Sequence, residues 1–444
     1  MENFRKKRVI RIKTEKKRIV WIDQLRGLAF YFVILGHMIV PENLEIWIYS
    51  FHMPLFFMIS GFNLNVEKMY KTDFKAYISH LAKRMLVPYL WLQLLALGLK
   101  YMYYFFVYGK EIRISAYIKG IFVGNSFIIS SPSNPMYFVL LLFISQVMLW
   151  CIIKLSRGNK WISFVAVALS TLASIYTVGK GMPWHINVMP TGMLFVFIGR
   201  FLMDGYLAVH KKLSRLKHPY YIFVCVVLLV LGCVAASFNG RASIHGNIFG
   251  ENYIVFVLGA VATSIAFMLL VMLLPSVKVF KLIGMNTIFL LGIHEPFLLT
   301  VEGLFPELWT KGWFVAVASL VCYFLPVPVL YLVEKTMPYI CGNATKESNI
   351  VIKIFKFVAV ALAFATPYAT FTRTFLDGAL RATQTGQTVS VVLFAVIVAG
   401  LTLLFNRLPS VFFLESKKGS SPEERKPVIY EDEGIMIIIP VEEV

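Results

Sequence analysis

Charge is what this chain has least of. Only 15% of its 444 residues are charged, 58% are hydrophobic, and the mean hydropathy is +0.72. That leaves too little polar surface for a water-soluble fold of this length, so a soluble globular protein is excluded and a polytopic membrane protein is expected. Acidic residues are scarcer still, 24 beside 43 Lys and Arg, which gives a net charge of +19. Such an excess would suit nucleic acid if it formed one patch. Here the basic residues sit in short connections between apolar runs, as anchoring to an anionic inner leaflet requires, so membrane lipids are expected partners and nucleic acid is not. Cysteine is also sparse. Cys151, Cys225, Cys233 and Cys322 lie in apolar runs and Cys341 follows one; none forms a CxxC or a His-rich spacing, so no metal is expected. No small-residue cleavage site follows the first hydrophobic run, which is longer than a signal-peptide core and is expected to stay as an anchor.

What is present is a series of apolar runs. A basic arm, residues 1–20, precedes ten of them, at roughly 21–40, 46–64, 86–107, 136–153, 161–178, 188–204, 220–238, 252–274, 282–301 and 313–333. Two more, roughly 353–372 and 389–408, follow a polar linker after Gly342. This divides the chain into the arm, a ten-span membrane domain over 21–342, a two-span extension over 343–412 and a tail over 413–444. Threading twelve spans from a cytoplasmic start puts about 32 Lys and Arg inside and about 8 outside, so both termini are expected to be cytoplasmic in a cell membrane. The tail segment IMIIIPV is too short to span and is expected to pair with a protein partner or with the chain's own surface. The connection at 108–135 carries an apolar patch too short to cross, which suits lying in the interface or re-entering, and 239–251 is polar and Gly-rich, which suits an ordinary loop or contact with a hydrophilic acceptor.

Polar residues inside apolar runs single out candidate chemistry. The first run, WIDQLRGLAFYFVILGHMIV, holds Asp23, Arg26 and His37. Each such residue is costly at mid-depth, roughly 2.5–3.5 kcal/mol on insertion scales, and therefore tends to line a working cavity. Eleven helical steps return to nearly the same face, so Arg26 and His37 share one side of a helix about 16 Å apart. The plainer alternative, with Arg26 reaching the cytoplasmic surface and His37 at the far interface, stays open. The second run, FHMPLFFMISGF, has His52 and Ser60 around a Pro54 break, which is tolerated where protein or a water cavity satisfies the backbone. Lys83 and Arg84 enter the third run before LVPYLW, and Asn286 and His294 interrupt the ninth, LIGMNTIFLLGIHEPFL. Lys83 and Arg84 suit either the positive-inside rule or a site, and Asn286 and His294 either interhelical hydrogen bonding or a site.

Taken in order, these segments resemble the membrane acyltransferase-3 family. Its first helix carries an Arg, ten residues and a His, matched by Arg26 and His37; FHMPLFFMISG is similar to its second helix in the fucose O-acetylase-like branch. Arg84, Pro88 and Tyr89 match a basic, Pro-Tyr feature, NPMYFVLLLF and FIGR echo shorter signals, and Asn286 to His294 resembles a Gly-x-Asn-Ser…His-x-Pro pattern, with Thr287 in place of Ser. The resemblance implies an all-α polytopic integral membrane protein, a ten-helix acyltransferase-3-like bundle with two extra helices. It implies an O-acyltransferase moving an acyl group, acetyl foremost, from cytoplasmic acyl-CoA to a hydroxyl of a surface glycan or lipid-linked sugar outside. The catalytic set would be His37, Arg26, His294 and Asn286; Arg26, Lys83 and Arg84 would bind the donor's phosphates, and His52 and Ser60 the acceptor. The rival from another class is a transporter or flippase, which also needs a cavity lined by Arg and His; no internal repeat supports it.

Overall fold

The structure, a computed structural model, describes residues 19–108, 112–213, 218–336 and 338–342, isolated positions near 396–400, and a strand pair near the carboxyl end. Fourteen helices are described in chain order. They are α1 Val20–Gly36, α2 Glu42–Phe62, α3 Val66–Lys71, α4 Phe74–Tyr108, α5 Ile114–Val123, α6 Tyr137–Leu155 and α7 Lys160–Tyr176. Then come α8 Met189–Leu213, α9 His218–Asn239, α10 Tyr253–Leu273, α11 Lys278–Met285, α12 Thr287–Leu304, α13 Gly312–Phe324 and α14 Val327–Thr336. A hydrocarbon environment offers no water to backbone groups, so apolar segments satisfy them within helices. The exposed apolar face of α9, including Tyr220, Phe223, Val230 and Phe238, suits contact with lipid.

Each of the ten apolar runs falls on helix, but length and apolarity alone do not make ten spans. Among the described residues five helices qualify by themselves, and a sixth does if the pair α11–α12, bent by 80°, counts as one. The others are shorter or more polar. The ninth run, read from sequence as a single span, is thus a broken one, because Asn286 leaves helical geometry (φ −122°, ψ 24°) between α11 and α12. The two spans of the extension lie outside the described residues, as does the basic arm. In the tail, Val428–Asp432 pairs antiparallel with Ile435–Ile439, with Val428 opposite Ile439, so IMIII pairs with its own neighbouring segment.

Helix α2 runs through the core, with Phe51, Leu55, Phe57, Met58 and Ile59 almost wholly buried. Two glycine contacts fix its surroundings. Gly61 and Gly199 let α2 and α8 touch backbone to backbone: a Cβ on Gly61 would lie 1.9 Å from the Val196 carbonyl, and one on Gly199 2.1 Å from that of Met58. Likewise Gly284 of α11 rests on Asp23 and Gly27 of α1, a small-residue crossing of the kind membrane helices use. Phe32, Trp47, Phe51 and Phe267 stack together beside this crossing and tie α1, α2 and α10 to one another. Helix α1 therefore lies between α2 and the broken pair α11–α12, and its two ends meet two different neighbourhoods.

Candidate active site

The carboxyl end of α1 opens onto a small cleft. Helix α1 stops at Gly36, whose carbonyl accepts a hydrogen bond from the Tyr49 hydroxyl at 3.1 Å, and His37 is the capping residue. His37 keeps open surface, and that surface faces the cleft. Around it stand Tyr49, His52 and Met53 of α2, Asn134 and Pro135 of the turn before α6, Tyr137, Ser243 to His245 of the connection after α9, and Leu291 of α12. His294, one turn beyond Leu291, lies against His37 with ring centroids 5.2 Å apart. His185 in turn touches His245 at 5.0 Å. Five of the chain's eight histidines, His37, His52, His185, His245 and His294, thus gather at one place.

Backbone geometry fixes which nitrogen two of them offer. His52 Nδ1 lies 2.7 Å from the Ile48 carbonyl, and His294 Nδ1 lies 3.1 Å from the carbonyls of both Leu290 and Leu291. A carbonyl only accepts, so in the neutral rings Nδ1 donates and Nε2 keeps the lone pair. His294 Nε2 is buried and has no hydrogen-bond partner among the described residues, an arrangement that costs free energy unless a substrate or proton uses it.

The wall below is held by a buried polar network. Glu295 accepts hydrogen bonds from the Asn134 backbone at 2.6 Å and its side chain at 3.1 Å, and forms an ion pair with Lys100 at 3.6 Å. Gln93 of α4 makes two 3.0 Å bonds to the backbone of Ser133, one as donor and one as acceptor. The turn SPSNP is in this way pinned between α4 and α12, and Asn134 is presented to the cleft. The loop at 239–251 closes the site from another side. Ala242–Ser243 pairs antiparallel with Ile248–Phe249, and the turn between them carries Ile244 and His245 inward. Burial, with the nearby His37 adding to it, pushes the His245 imidazole down to about 4, so it is neutral near pH 7.

The other end of α1 is cationic. Arg26 Nη1 lies 3.4 Å from the Gly284 carbonyl and 3.6 Å from Asp23 Oδ1. Gly342 packs between the Arg84 carbonyl and Ile288, so Arg84 adjoins the same α11–α12 break from the far side. Asn286 occupies that break, fully buried, and its side-chain amide donates to the Leu282 carbonyl at 3.0 Å. It ends one half-helix and starts the next. Arg26 and His37 therefore do share a helix side, both facing α11–α12, but only His37 lines the cleft. Lys83 precedes Arg84 on α4 and is half-buried. Ser60 is not brought to the cleft: it follows His52 by more than two helical turns, and its hydroxyl donates to the Phe56 carbonyl at 3.1 Å. Arg200 is spent on Asp204 and on the Leu64 carbonyl.

Sequence reasoning did not single out Tyr49, His185, His245 or Glu295, and it treated Tyr137 as structural. Glu295 had a legible signal, since it is an acidic residue in an apolar helix. His245 lies in the polar, Gly-rich loop 239–251, which the sequence marked as a candidate substrate contact without naming the histidine; nothing local marks Tyr49 or His185, because long-range packing creates their surroundings.

A cluster of imidazoles at one end of a helix and guanidinium groups at the other, on a broken-helix membrane scaffold, is suited to group transfer. The chain matches the acyltransferase-3 family model, described as an acyltransferase domain, over residues 19–333, and belongs to that family. It is accordingly a membrane acyltransferase. No curated protein and no solved structure matches it significantly.

Proposed function

We propose that this protein takes an acyl group, acetyl foremost, from cytoplasmic acyl-CoA and transfers it to a hydroxyl of a surface glycan or lipid-linked sugar on the outer side of the cell membrane. The observation that carries this reading is the placement of His37, open to a cleft and flanked by His52 and His294, on the same helix as Arg26. The roughly 16 Å between them is comparable to the reach of an extended pantetheine arm. Arg26 and Arg84, with Lys83 beside them, suit the diphosphate and ribose phosphate, because a guanidinium stays charged and grips phosphate with paired donors. The thioester then reaches the histidine end.

There the acceptor hydroxyl oxygen attacks the thioester carbonyl while His37 takes its proton. The tetrahedral intermediate collapses with cleavage of the C–S bond, coenzyme A leaves as thiolate, and the proton held by His37 returns to it. Transfer through an acyl-His37 intermediate balances equally well, with the hydroxyl attacking in a second step. The amide of Asn286 sits at the break rather than in the cleft, so its part is to hold the turn between α11 and α12 and thereby aim His294. His52 supplies an acceptor for a second hydroxyl. No step calls for a metal.

The test is acyl transfer by the full chain in membranes supplied with acetyl-CoA. A base or acyl carrier contributes about 10²–10⁴-fold, so His37→Ala should lower transfer by that factor at unchanged protein level. Arg26→Lys keeps the charge and loses the paired donors, so it should mainly raise the KM for acetyl-CoA. Transfer by His37→Ala at the unmodified rate would refute the assignment.

A further inference from the structure

Three connections far apart in sequence converge on one wall of the cleft. Tyr137, at the start of α6, has the ring of His245 4.4 Å away and that of His185 4.8 Å away. His245 also lies 4.6 Å from Phe127, and its Nε2 is 2.9 Å from the Ser126 hydroxyl, which fixes the ring's rotation. His185 comes from the turn Pro183–His185, where Trp184 and His185 both take positive φ, 55° and 53°, a conformation that side-chain-bearing residues adopt only under constraint. The constraint is visible: Trp184 Nε1 donates to the Phe122 carbonyl at 2.7 Å, and Asn125 donates to that of Met182 at 2.8 Å. Backbone strain is being held in order to prop His185 behind Tyr137 and His245.

The product is a rigid aromatic surface. Of its members Tyr137 and His245 line the cleft that also holds His37, and His245 is the more open of the two, Tyr137 being buried. Asn134, Ser243 and His52 stand at its border and offer polar atoms at the edges. Such a wall fits a molecule with one apolar face and a polar rim. A pyranose ring is of that kind, with axial C–H bonds on its face and hydroxyls around its edge, whereas an open-chain polyol presents no such face.

We infer that His245, braced by Tyr137 and His185, is the acceptor subsite and packs against the apolar face of a pyranoside ring, turning one of its hydroxyls toward His37. This rests on the acyl-transfer reading and adds to it the shape of the acceptor and the residues that select it.

The experiment measures thiol release and ester formation by the full chain in membranes with acetyl-CoA. Methyl α-D-glucopyranoside, methyl α-D-galactopyranoside and methyl α-D-mannopyranoside serve as acceptors beside the open-chain sorbitol. At least one pyranoside should be acylated in preference to sorbitol. His245→Ala should raise the KM for that pyranoside about five- to tenfold, the loss expected of one aromatic partner. His245→Phe keeps a ring and should stay within about twofold, and both variants should leave the KM for acetyl-CoA unchanged. The Phe variant shows that a loss in the Ala variant is not misfolding. Equal use of sorbitol, an unchanged pyranoside KM in His245→Ala, or an equal loss in both variants would overturn the subsite. A raised KM for acetyl-CoA alone would assign the wall to the donor instead. Ester formation on other acceptors but on no pyranoside would sink this inference while leaving acyl transfer standing; absence of any acetyl-CoA-dependent ester or thiol release would sink the functional reading itself.

Discussion

Gly284→Ala adds one methyl group at the contact that aims the broken helix. A Cβ there would sit 1.7 Å from the Asp23 carbonyl oxygen and 2.9 Å from the Gly27 nitrogen, where ordinary contact begins at 3.4 Å. Both obstacles are backbone of α1, which cannot turn aside as a side chain can, so α1 and α11 must part by roughly 1.7 Å. The Arg26 to Gly284 bond, already 3.4 Å, would be lost. Because α12 follows directly from α11 through Asn286, His294 would shift relative to His37. Misplacement of about 1 Å can cost 10²-fold in rate, so transfer should fall by at least that factor, with a raised KM for acetyl-CoA. The assay is ester formation in membranes, normalised to inserted protein. Gly312→Ala is the control, since a Cβ there meets nothing within 4 Å, and it should be neutral. Full activity in Gly284→Ala would refute the argument that this crossing positions the site.

Glu295→Gln removes the counter-charge of Lys100 and one strong acceptor for Asn134; it should cost about 1–3 kcal/mol, read as a lower Tm in detergent, and Lys100→Met added to it should recover part of the loss. His245 is held neutral at pH values where an unfolded histidine, with a pKa near 6.5, would bind a proton, so the unfolded chain takes up the extra proton and stability should fall as pH drops from about 6.5 toward 4. His245→Phe should flatten that dependence relative to the unmodified protein, and identical Tm profiles in the two would refute it. For orientation, Asn43 and Gly240 lie at the end of the bundle where Arg241 pairs with Glu45, and Lys71 follows the other end of α2. A Cys at either of the first two should be labelled from outside and one at Lys71 spared, and the reverse pattern would invert the proposed sidedness. Truncation at Asn343, beyond the family match ending at residue 333, should leave transfer in inserted protein, and complete loss would place the extension in the site.

The sequence by itself determined the class of this protein. A chain with 15% charge and twelve apolar runs can satisfy its backbone only as membrane helices, and a lone Arg, His or Asn in such a run declares itself because hydrocarbon makes it expensive. That is why Arg26, His37, Asn286 and His294 could be named without coordinates. Helical periodicity likewise predicted that Arg26 and His37 share a side. It could not say that Arg26 faces Gly284 while His37 faces a cleft, since that depends on where α11 breaks.

Tertiary structure alone decided the rest. The break at Asn286 turns one apolar run into two half-helices, although hydropathy reads straight through it. Ser60 looked equivalent to His52, yet the rise of the helix carries it away from the cleft. Tyr137, His185 and His245 come from three separate parts of the chain, and although the sequence marked the segments of Tyr137 and His245, their joint role arises only when packing brings the three together. The tautomers of His52 and His294 follow from carbonyls one turn back in their own helices, but the exposure of one Nε2 to the cleft and the burial of the other are set by neighbours hundreds of residues away. Burial cost is written in residue type and can be read locally; which surfaces meet is written in helix crossings, and backbone contacts at positions such as Gly284 fix those crossings only in the folded chain.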